Sequence, residues 1–429
     1  MHFCDLLKLY NFLNNQWKTP AEIKIIQERK LKKIIRHAYS NVPYYKNLFD
    51  SAGLKPKDIR NISDLGKIPL TSKKDIVDLP LSQIMAKNIN ISTCRKTLTS
   101  GTTGIPLKVN YRKKDYTILN FGWLRAYLAH GMKLWEKTGS FVGSKSNTSL
   151  KSWYERLGVL RKMILYSSDS PSKWMSALSH WKPQIITGYV MTLKLLASEI
   201  SSHKQKNINP RLIFHSSGIL DETSRTFISN VLGGKVIDIY GSDEGGCIAW
   251  ECPKCNGYHI NSDLLILELL TNGNAISKNT GEVVITNLHS YAMPLIRYKQ
   301  GDVASFSDST NLCKRGFPLL KNIQGRIDDF ITLPSGRKIS PHPFYWALLD
   351  IPEVSEWKIV QQQKDLLNIE IVVKNNTSSN NICTRISDNL NKILCNEMKI
   401  DIYSVQNIAR NPNQKFRSVM SNLKEDMYT

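Results

Sequence analysis

Apolar residues recur at helical spacing through "AEIKIIQERKLKKIIRHAY" (residues 21–39), and the first 90 residues read as a helical entry segment. "KIPLTSKKDIVD" (67–78) follows, with Thr71 or Ser72 placed to cap a short helix. From about residue 95 the texture changes. Short apolar runs alternate with helical patterns: "TGSFVGS", "PQIITGYVMTLKLLASEI", "RLIFHSSGIL", "KVIDIYGS", "LLILELL" and "EVVITNL". That alternation predicts an α/β domain with buried sheet strands. After "GRIDDFITLPSGRKISP" (325–341) it changes again. "WKIVQQQ", "LLNIEIVVK" and "SDNLNKILCNEM" predict a small α+β unit, with Pro334 and Gly336 marking a turn just past the boundary. "KNNTSSNN" (374–381) reads as a polar loop. The expected division is a large α/β domain over 1–325 and a smaller α+β domain over 326–429.

Composition narrows the class without naming it. The chain has 429 residues, 41% of them hydrophobic and 22% charged, as a core-forming globular protein should. No apolar run is long enough to span a bilayer, and the start lacks the pattern of a secretory signal. A cytoplasmic location with reduced thiols is the expectation. The net charge of +22 is spread over scattered lysines with no basic tail. It fits a solvated surface or an anionic substrate, points away from nucleic acid, and leaves peripheral membrane contact open.

Several stretches carry candidate chemistry. "KTLTSGTTGIPLKVN" (96–110) crowds hydroxyls and glycines around Ser100, Gly101, Thr102, Thr103 and Gly104. Successive backbone N–H groups in such a loop form an anion cradle. The lysine spacing of a P-loop is missing, so a polar turn or a linker competes with this reading. "IDIYGSDEGG" (237–246) is an apolar strand that runs into Tyr240, Gly241, Asp243 and Glu244. Ligands of open α/β sheets sit at such strand ends, where an aromatic can stack on a base and a carboxylate can hold Mg²⁺. "PLIRYKQGDVASF" (294–306) adds Arg297, Tyr298, Gly301 and Asp302, whose carboxylate could accept ribose hydroxyls or merely close a hairpin. "IQGRIDDF" (323–330) supplies Arg326 and Asp328 at the junction, and "RNPNQKFRSV" (410–419) supplies Lys415. "CIAWECPKCNGYHI" (247–260) places Cys247, Cys252, Cys255 and His259 within thirteen residues. The spacing suits a closed structural Zn²⁺ site; the alternative is a reduced knuckle.

The order of these motifs resembles the adenylate-forming (acyl-AMP ligase) superfamily. "HAYSNVPYYKNLFDSAGLKPKDIRNISDLGKIPLTSKKDI" (37–76) and "WKPQIITGYV" (181–190) are similar to its phenylacetate–coenzyme A ligase-like branch, particularly the CapK group linked to capsular polysaccharide biosynthesis. The similarity covers nearly the whole chain. It implies that ATP activates a carboxylate as acyl-AMP, and that the acyl group then passes to a thiol, amine or hydroxyl. The carboxylate would be a small molecule or part of a saccharide. By the same resemblance Ser100–Gly104 would hold the β- and γ-phosphates, Tyr240 would stack near adenine, and Gly241 and Gly218 in "HSSG" would also bind the nucleotide. Glu244 would ligate Mg²⁺, and Asp302 would bind the ribose beside Arg326. Asp328 would be the hinge of a mobile C-terminal domain, and Lys415 would neutralise charge on the α-phosphate. Three positions depart from the pattern: Asp243 before the glutamate, Ile219 after Gly218, and "NQK" in place of Gly-Lys. They keep open an inactive ATP-binding scaffold. A basic, zinc-containing nucleic-acid-binding protein would explain the charge and the knuckle, but not five motifs in order.

Overall fold

The computed structural model describes residues 3–98, 107–143, 153–203, 207–218, 220–276, 279–307, 313–326, 329–339, 343–344, 347–348, 351, 353–373, 379–409 and 418–423. The entry segment is helical as expected, with helices Phe3–Asn14, Pro20–Asn41 and Pro43–Ser51. A capping box starts the second: the Glu22 N–H donates to Thr19 Oγ1 and the Thr19 N–H to Glu22 Oε2. Its buried face (Ile23, Leu31, Ile34, Ile35, Ala38) follows the helical period. It packs with Val42, Tyr45 and Phe49. Ser72, rather than Thr71, caps the short helix Lys73–Ile76, in a capping box with Asp75. Thr71 is instead buried, exchanging backbone hydrogen bonds with Arg297 and Lys299.

Strands β1 (Cys94–Leu98) and β2 (Lys108–Arg112) form an antiparallel ribbon. The next twelve strands build one large sheet. They are β3 (Thr138–Val142), β4 (Lys162–Tyr166), β5 (Ile185–Gly188), β6 (Leu212–Ser216), β7 (Lys235–Ser242), β8 (Gly246–Glu251), β9 (Tyr258–Ile260), β10 (Leu265–Thr271), β11 (Asn274–Ile276), β12 (Thr280–Asn287), β13 (Tyr298–Phe306) and β14 (Leu319–Arg326). Their order is β11-β10-β12-β13-β14-β9-β8-β7-β6-β5-β3-β4. From β4 to β7 all neighbours are parallel. Helices Pro171–Trp181, Val190–Ser202 and Glu222–Leu232 cover that part with Trp174, Leu178, Leu193, Leu196 and Ile228. At β7 the direction reverses, and β8 and β9 follow antiparallel. Apolar runs alone did not distinguish these two halves, because buried strands of either kind read alike.

A larger compact unit runs to Ile323 and a smaller one takes Gln324 onward, with Gly301–Val303 grouped with the smaller. The smaller unit holds a hairpin of β15 (Ile331–Thr332) and β16 (Lys338–Ile339), closed at Gly336. Beside it β17 (Val354–Gln363), β18 (Leu366–Val373), β19 (Lys399–Ser404) and β20 (Val419–Ser421) pair in the order β19-β18-β17-β20. Alternate residues Leu367, Ile369 and Ile371 of β18 are fully buried with Ile386 and Leu390 of helix Ser379–Leu394. That helix already begins at Ser379, so the expected polar loop is shorter at its C-terminal end. The fold is α/β in the larger unit and α+β in the smaller. Among the described residues no helix is long and apolar enough to cross a membrane.

Candidate active site

Parallel neighbours β6 and β7 deliver their C-terminal ends side by side, from Leu212 opposite Lys235 to Ser216 opposite Ile239. Ile237 and Ile239 are buried, while Tyr240 is half-buried against the core cluster of Tyr111 and Tyr298. A bulge after Tyr240 then turns the strand. Gly241 is required here: a Cβ would lie 2.7 Å from the Trp123 ring and 2.8 Å from the Gly246 carbonyl oxygen. The hairpin closes where Ser242 pairs with Gly246, leaving Asp243, Glu244 and Gly245 at its apex.

The apex is held mostly through its backbone. The hydroxyl of Tyr111, on β2, lies 2.5 Å from Asp243 O and 2.9 Å from Glu244 O. The Asn287 amide donates to Glu244 O (3.2 Å), and the Gly245 N–H to Ser242 Oγ (2.9 Å). The Tyr298 hydroxyl donates to Glu244 Oε1 at 3.3 Å. Burial, with the charges of Glu244 and Asp243 behind it, holds the Tyr111 hydroxyl well above its usual range, so it stays a donor. Burial raises Tyr189 and Tyr116 as well, and Asp243 contributes to both. The result is an acidic apex bordered by phenols. Asp243 is exposed and Glu244 half-buried, so Asp243 carries its charge in solvent rather than in a closed pocket. A carboxylate on so fixed a backbone suits a hard cation shared with phosphate oxygens.

At the end of β6, Ser217 and Gly218 both adopt positive φ, 75° and 95°. In the smaller unit Asp302 and Arg326 come together on adjacent strands. A Cβ on Gly301 would meet Arg326 Nη2 at 3.0 Å, so the guanidinium lies against the backbone beside Asp302. Arg297, by contrast, is a structural residue. It is buried, bonds Glu268 through Nε (3.2 Å) and Nη2 (3.1 Å), and donates to the Ile68 carbonyl at 2.7 Å. Ser100, Gly101, Thr102, Thr103, Gly104, Ile219, Asp328 and Lys415 lie outside the described residues.

The cysteine cluster differs from the one that spacing suggests. Ligand atoms of Cys252, His259 and Cys313 lie within 4.8 Å of one another. Cys255 packs against this group, and its N–H donates to Cys252 Sγ at 3.3 Å, as does that of Lys254 at 3.4 Å. Cys247 is elsewhere. It sits on β8 in the core with Ala126, Phe214 and Trp250, where burial pushes its thiol up to about 12. Burial also lowers His259 to about 4, with Arg315 adding to the effect, so the ring is neutral. Its Nδ1 faces the Phe317 carbonyl at 3.3 Å and takes the proton; Nε2 then presents a lone pair toward Cys313 Sγ at 3.1 Å.

Comparison with known proteins fits this geometry. Residues 331–422 match the CapK C-terminal domain. Over 363 residues the chain is 28% identical to the phenylacetate–coenzyme A ligase of Thermus thermophilus, covering 81% of this chain and 80% of that protein. It is 22% identical to Protein CapK of Staphylococcus aureus over 415 residues, or 93% and 89% of the two chains. A structure of 2-hydroxyisobutyryl-CoA ligase in the postadenylation state with 2-HIB-AMP shares the fold, with a TM-score of 0.79 at 20% identity over 95% of this chain and 91% of that one. By these matches the chain resembles the phenylacetate–coenzyme A ligase-like and CapK branch of the adenylate-forming superfamily.

An adenylate-forming ligase is an ATP-dependent enzyme, and that class applies here. Within this ligase, sequence reasoning found the Tyr240–Glu244 apex but missed what holds it. Tyr111 and Asn287 come from 133 and 43 residues away from Glu244, and neither stands in a motif. Cys313 was likewise missed as a metal candidate. Its separation of 54 residues from His259 hid it from any local spacing rule.

Proposed function

We propose that this ligase activates a small or saccharide-linked carboxylate with ATP, releases pyrophosphate, and transfers the acyl group from acyl-AMP to an acceptor in cell-surface polysaccharide biosynthesis. The observation that carries the reading is Glu244, half-buried on a hairpin apex whose carbonyls are bound by Tyr111 and Asn287. Its carboxylate would hold Mg²⁺, which when bound offsets the charge of the triphosphate. Tyr240 and the Gly241 backbone offer a face for adenine, with the Ser217–Gly218 turn on the neighbouring strand. Asp302 would accept the ribose hydroxyls with Arg326 beside it. Ser100–Gly104 would cradle the β- and γ-phosphates, and Lys415 would stabilise charge on the α-phosphate as the carboxylate attacks. Asp328 would be the pivot for the smaller domain between the two half-reactions. Such chemistry asks for positioning and charge stabilisation rather than an acid–base triad.

One acceptor we propose, alongside the CapK match, is an amine or hydroxyl on a saccharide. The phenylacetate–coenzyme A ligase relatives support a coenzyme A thiol instead. The deciding assay is carboxylate-dependent ATP–pyrophosphate exchange over aryl, fatty, amino and uronic acids, followed by AMP release with coenzyme A added. Exchange with one acid class is expected. Lys415→Ala should lose it by about 100-fold or more while still binding ATP, and Glu244→Gln should weaken its dependence on Mg²⁺. Exchange unaltered in both variants would overturn these roles. Rapid AMP release with coenzyme A would move the acceptor to the thiol.

The cysteine cluster fits a structural Zn²⁺ held by Cys252, His259 and Cys313, with Cys255, packed beside them, as the fourth ligand we propose. The two N–H···S bonds on Cys252 suit a thiolate, and His259 donates its other N–H to a backbone carbonyl, as metal-bound imidazoles do. Four protein ligands leave no open position, so the ion would brace the loop after the Glu244 hairpin and take no part in the reaction.

A further inference from the structure

A row of polar side chains crosses four adjacent strands of the large sheet. His215 on β6 lies opposite Asp238 on β7, and Glu251 on β8 lies opposite Tyr258 on β9. The row is joined by hydrogen bonds. His215 Nδ1 is 2.9 Å from Asp238 Oδ1, and the Tyr258 hydroxyl donates to Asp238 Oδ2 at 2.9 Å. Glu251 Oε2 accepts from the Asp238 N–H (2.9 Å) and from Arg225 Nη1 (3.1 Å), which also bonds the Val236 carbonyl. His215 itself is fully buried. Groups this polar are not placed at the centre of a sheet without cost, and each here has a partner.

Ser217, His215 and Asp238 have the residue types of a hydrolytic triad, and the geometry rejects that reading. His215 Nε2 faces the backbone carbonyl of Ser217, at 3.2 Å. Both ring nitrogens face acceptors, the Asp238 carboxylate and the Ser217 carbonyl, so neither is turned toward the Ser217 hydroxyl as a general base would be. The bond instead ends on the turn at the mouth of the sheet. Ser217 has φ 75°, a left-handed conformation that strains a residue with a Cβ and persists only where its surroundings hold it. Gly218 follows at φ 95°, with room for a Cβ only 3.0 Å from Val190 Cγ1. Val190 packs the turn from one side, and His215 ties it from below.

We propose that His215 is a positioning residue: backed by Asp238 and Tyr258, it fixes the Ser217 carbonyl and so holds the Ser217–Gly218 turn in the shape that receives the nucleotide. This rests on the assignment of that turn to ATP made above. His215 does not touch the reacting atoms, and its effect should fall on nucleotide affinity rather than on turnover.

The test is ATP affinity by calorimetry, together with exchange kinetics at varied ATP, in the full-length enzyme. His215→Phe keeps a planar ring and removes both hydrogen-bonding nitrogens. It should raise the Kd and KM for ATP about tenfold while kcat moves far less. His215→Gln, which retains a donor, should recover part of that loss. Tyr258→Phe leaves His215 in place and frees one side of Asp238; a two- to threefold rise is expected as a rough guide from one neutral bond. This variant keeps the proposal testable should His215→Phe fail to fold. Unchanged ATP affinity in every folded variant would overturn the proposal and leave the ligase reading intact. Wild-type enzyme that binds no ATP would overturn both. A fall in kcat with KM constant would mean that His215 acts on the chemical step and not on the turn.

Discussion

Tyr111 shows how much a single hydroxyl can hold. Its one proton is shared between two successive carbonyl oxygens at the hairpin apex, Asp243 O and Glu244 O. Both carbonyls belong to the segment that presents the Glu244 carboxylate, so the side chain sets a backbone and the backbone sets the ligand. Because burial raises the phenol's pKa well above its ordinary value, the hydroxyl remains a donor through neutral and mildly alkaline pH. Tyr111→Phe should therefore leave the fold intact but cost about 1–3 kcal/mol in urea unfolding, the usual effect of removing a buried donor. It should also raise the Mg²⁺ concentration needed for half-maximal exchange. An unaltered Mg²⁺ dependence would mean that Asn287 and the hairpin suffice to place Glu244. The motif residues Tyr240, Gly241 and Glu244 were legible because they are contiguous and sit at a strand end. Tyr111 was not, since nothing local in "KVNYRKKD" tells which distant carbonyl a strand tyrosine will meet.

The same limit appears among the elements. Strand and helix patterns of the entry segment, of β5 to β7 and of β17 and β18 could be read from periodicity, because each buries one continuous apolar face. The cysteine cluster could be read only in part. Proximity along the chain grouped Cys247 with Cys252, Cys255 and His259, but β8 is an extended element that carries Cys247 away into the core between the sheet and its covering side chains. Cys313 takes its place beside His259, from the segment that leads into β14. Arg315 favours its thiolate: burial raises the Cys313 thiol, but hydrogen bonds from Arg315 outweigh that and leave it lowered. The purified enzyme is expected to carry about one Zn²⁺ per chain by elemental analysis, as a closed four-ligand site implies. Cys313→Ser or a strong chelator should release it and lower the melting temperature, whereas Cys247→Ser should keep the full zinc content. Stoichiometric zinc in Cys313→Ser would restore Cys247 as a candidate; a metal-free wild type would leave a reduced knuckle.

Over the whole molecule, charge and burial are arranged so that acid should be more damaging than base. Arg125 and Asp263 form a fully buried pair that ties the first helix to the sheet, since Arg125 Nη2 also donates to the Phe12 carbonyl at 2.6 Å. Lys30 joins them through the Asp263 carbonyl and donates to His289 Nε2 at 3.0 Å, which requires that nitrogen to be unprotonated. Burial, reinforced by Lys30, accordingly holds His289 down at about 3; burial holds His130 at about 4. In the unfolded chain both return to about 6.5. A base depressed on folding contributes stability that is present in full above pH 6.5 and is lost as pH falls toward 4 and then 3, because the unfolded chain takes up the proton first. At about 1.4 kcal/mol per pKa unit, each histidine is worth on the order of 3–5 kcal/mol across that range. The urea midpoint should thus fall steadily below about pH 6.5, and above pH 7 it should rise further, because burial also lowers Lys30 to about 8. The net charge of +22 adds self-repulsion that also grows in acid, but salt of about 0.5 M screens it. Measured in that salt, a persistent fall that is shallower in His289→Gln would assign the loss to buried imidazoles. A midpoint that stays flat down to pH 4 in high salt would show that His289 and His130 titrate as they do in the unfolded chain, and that Lys30 does not depend on a neutral His289 for its place.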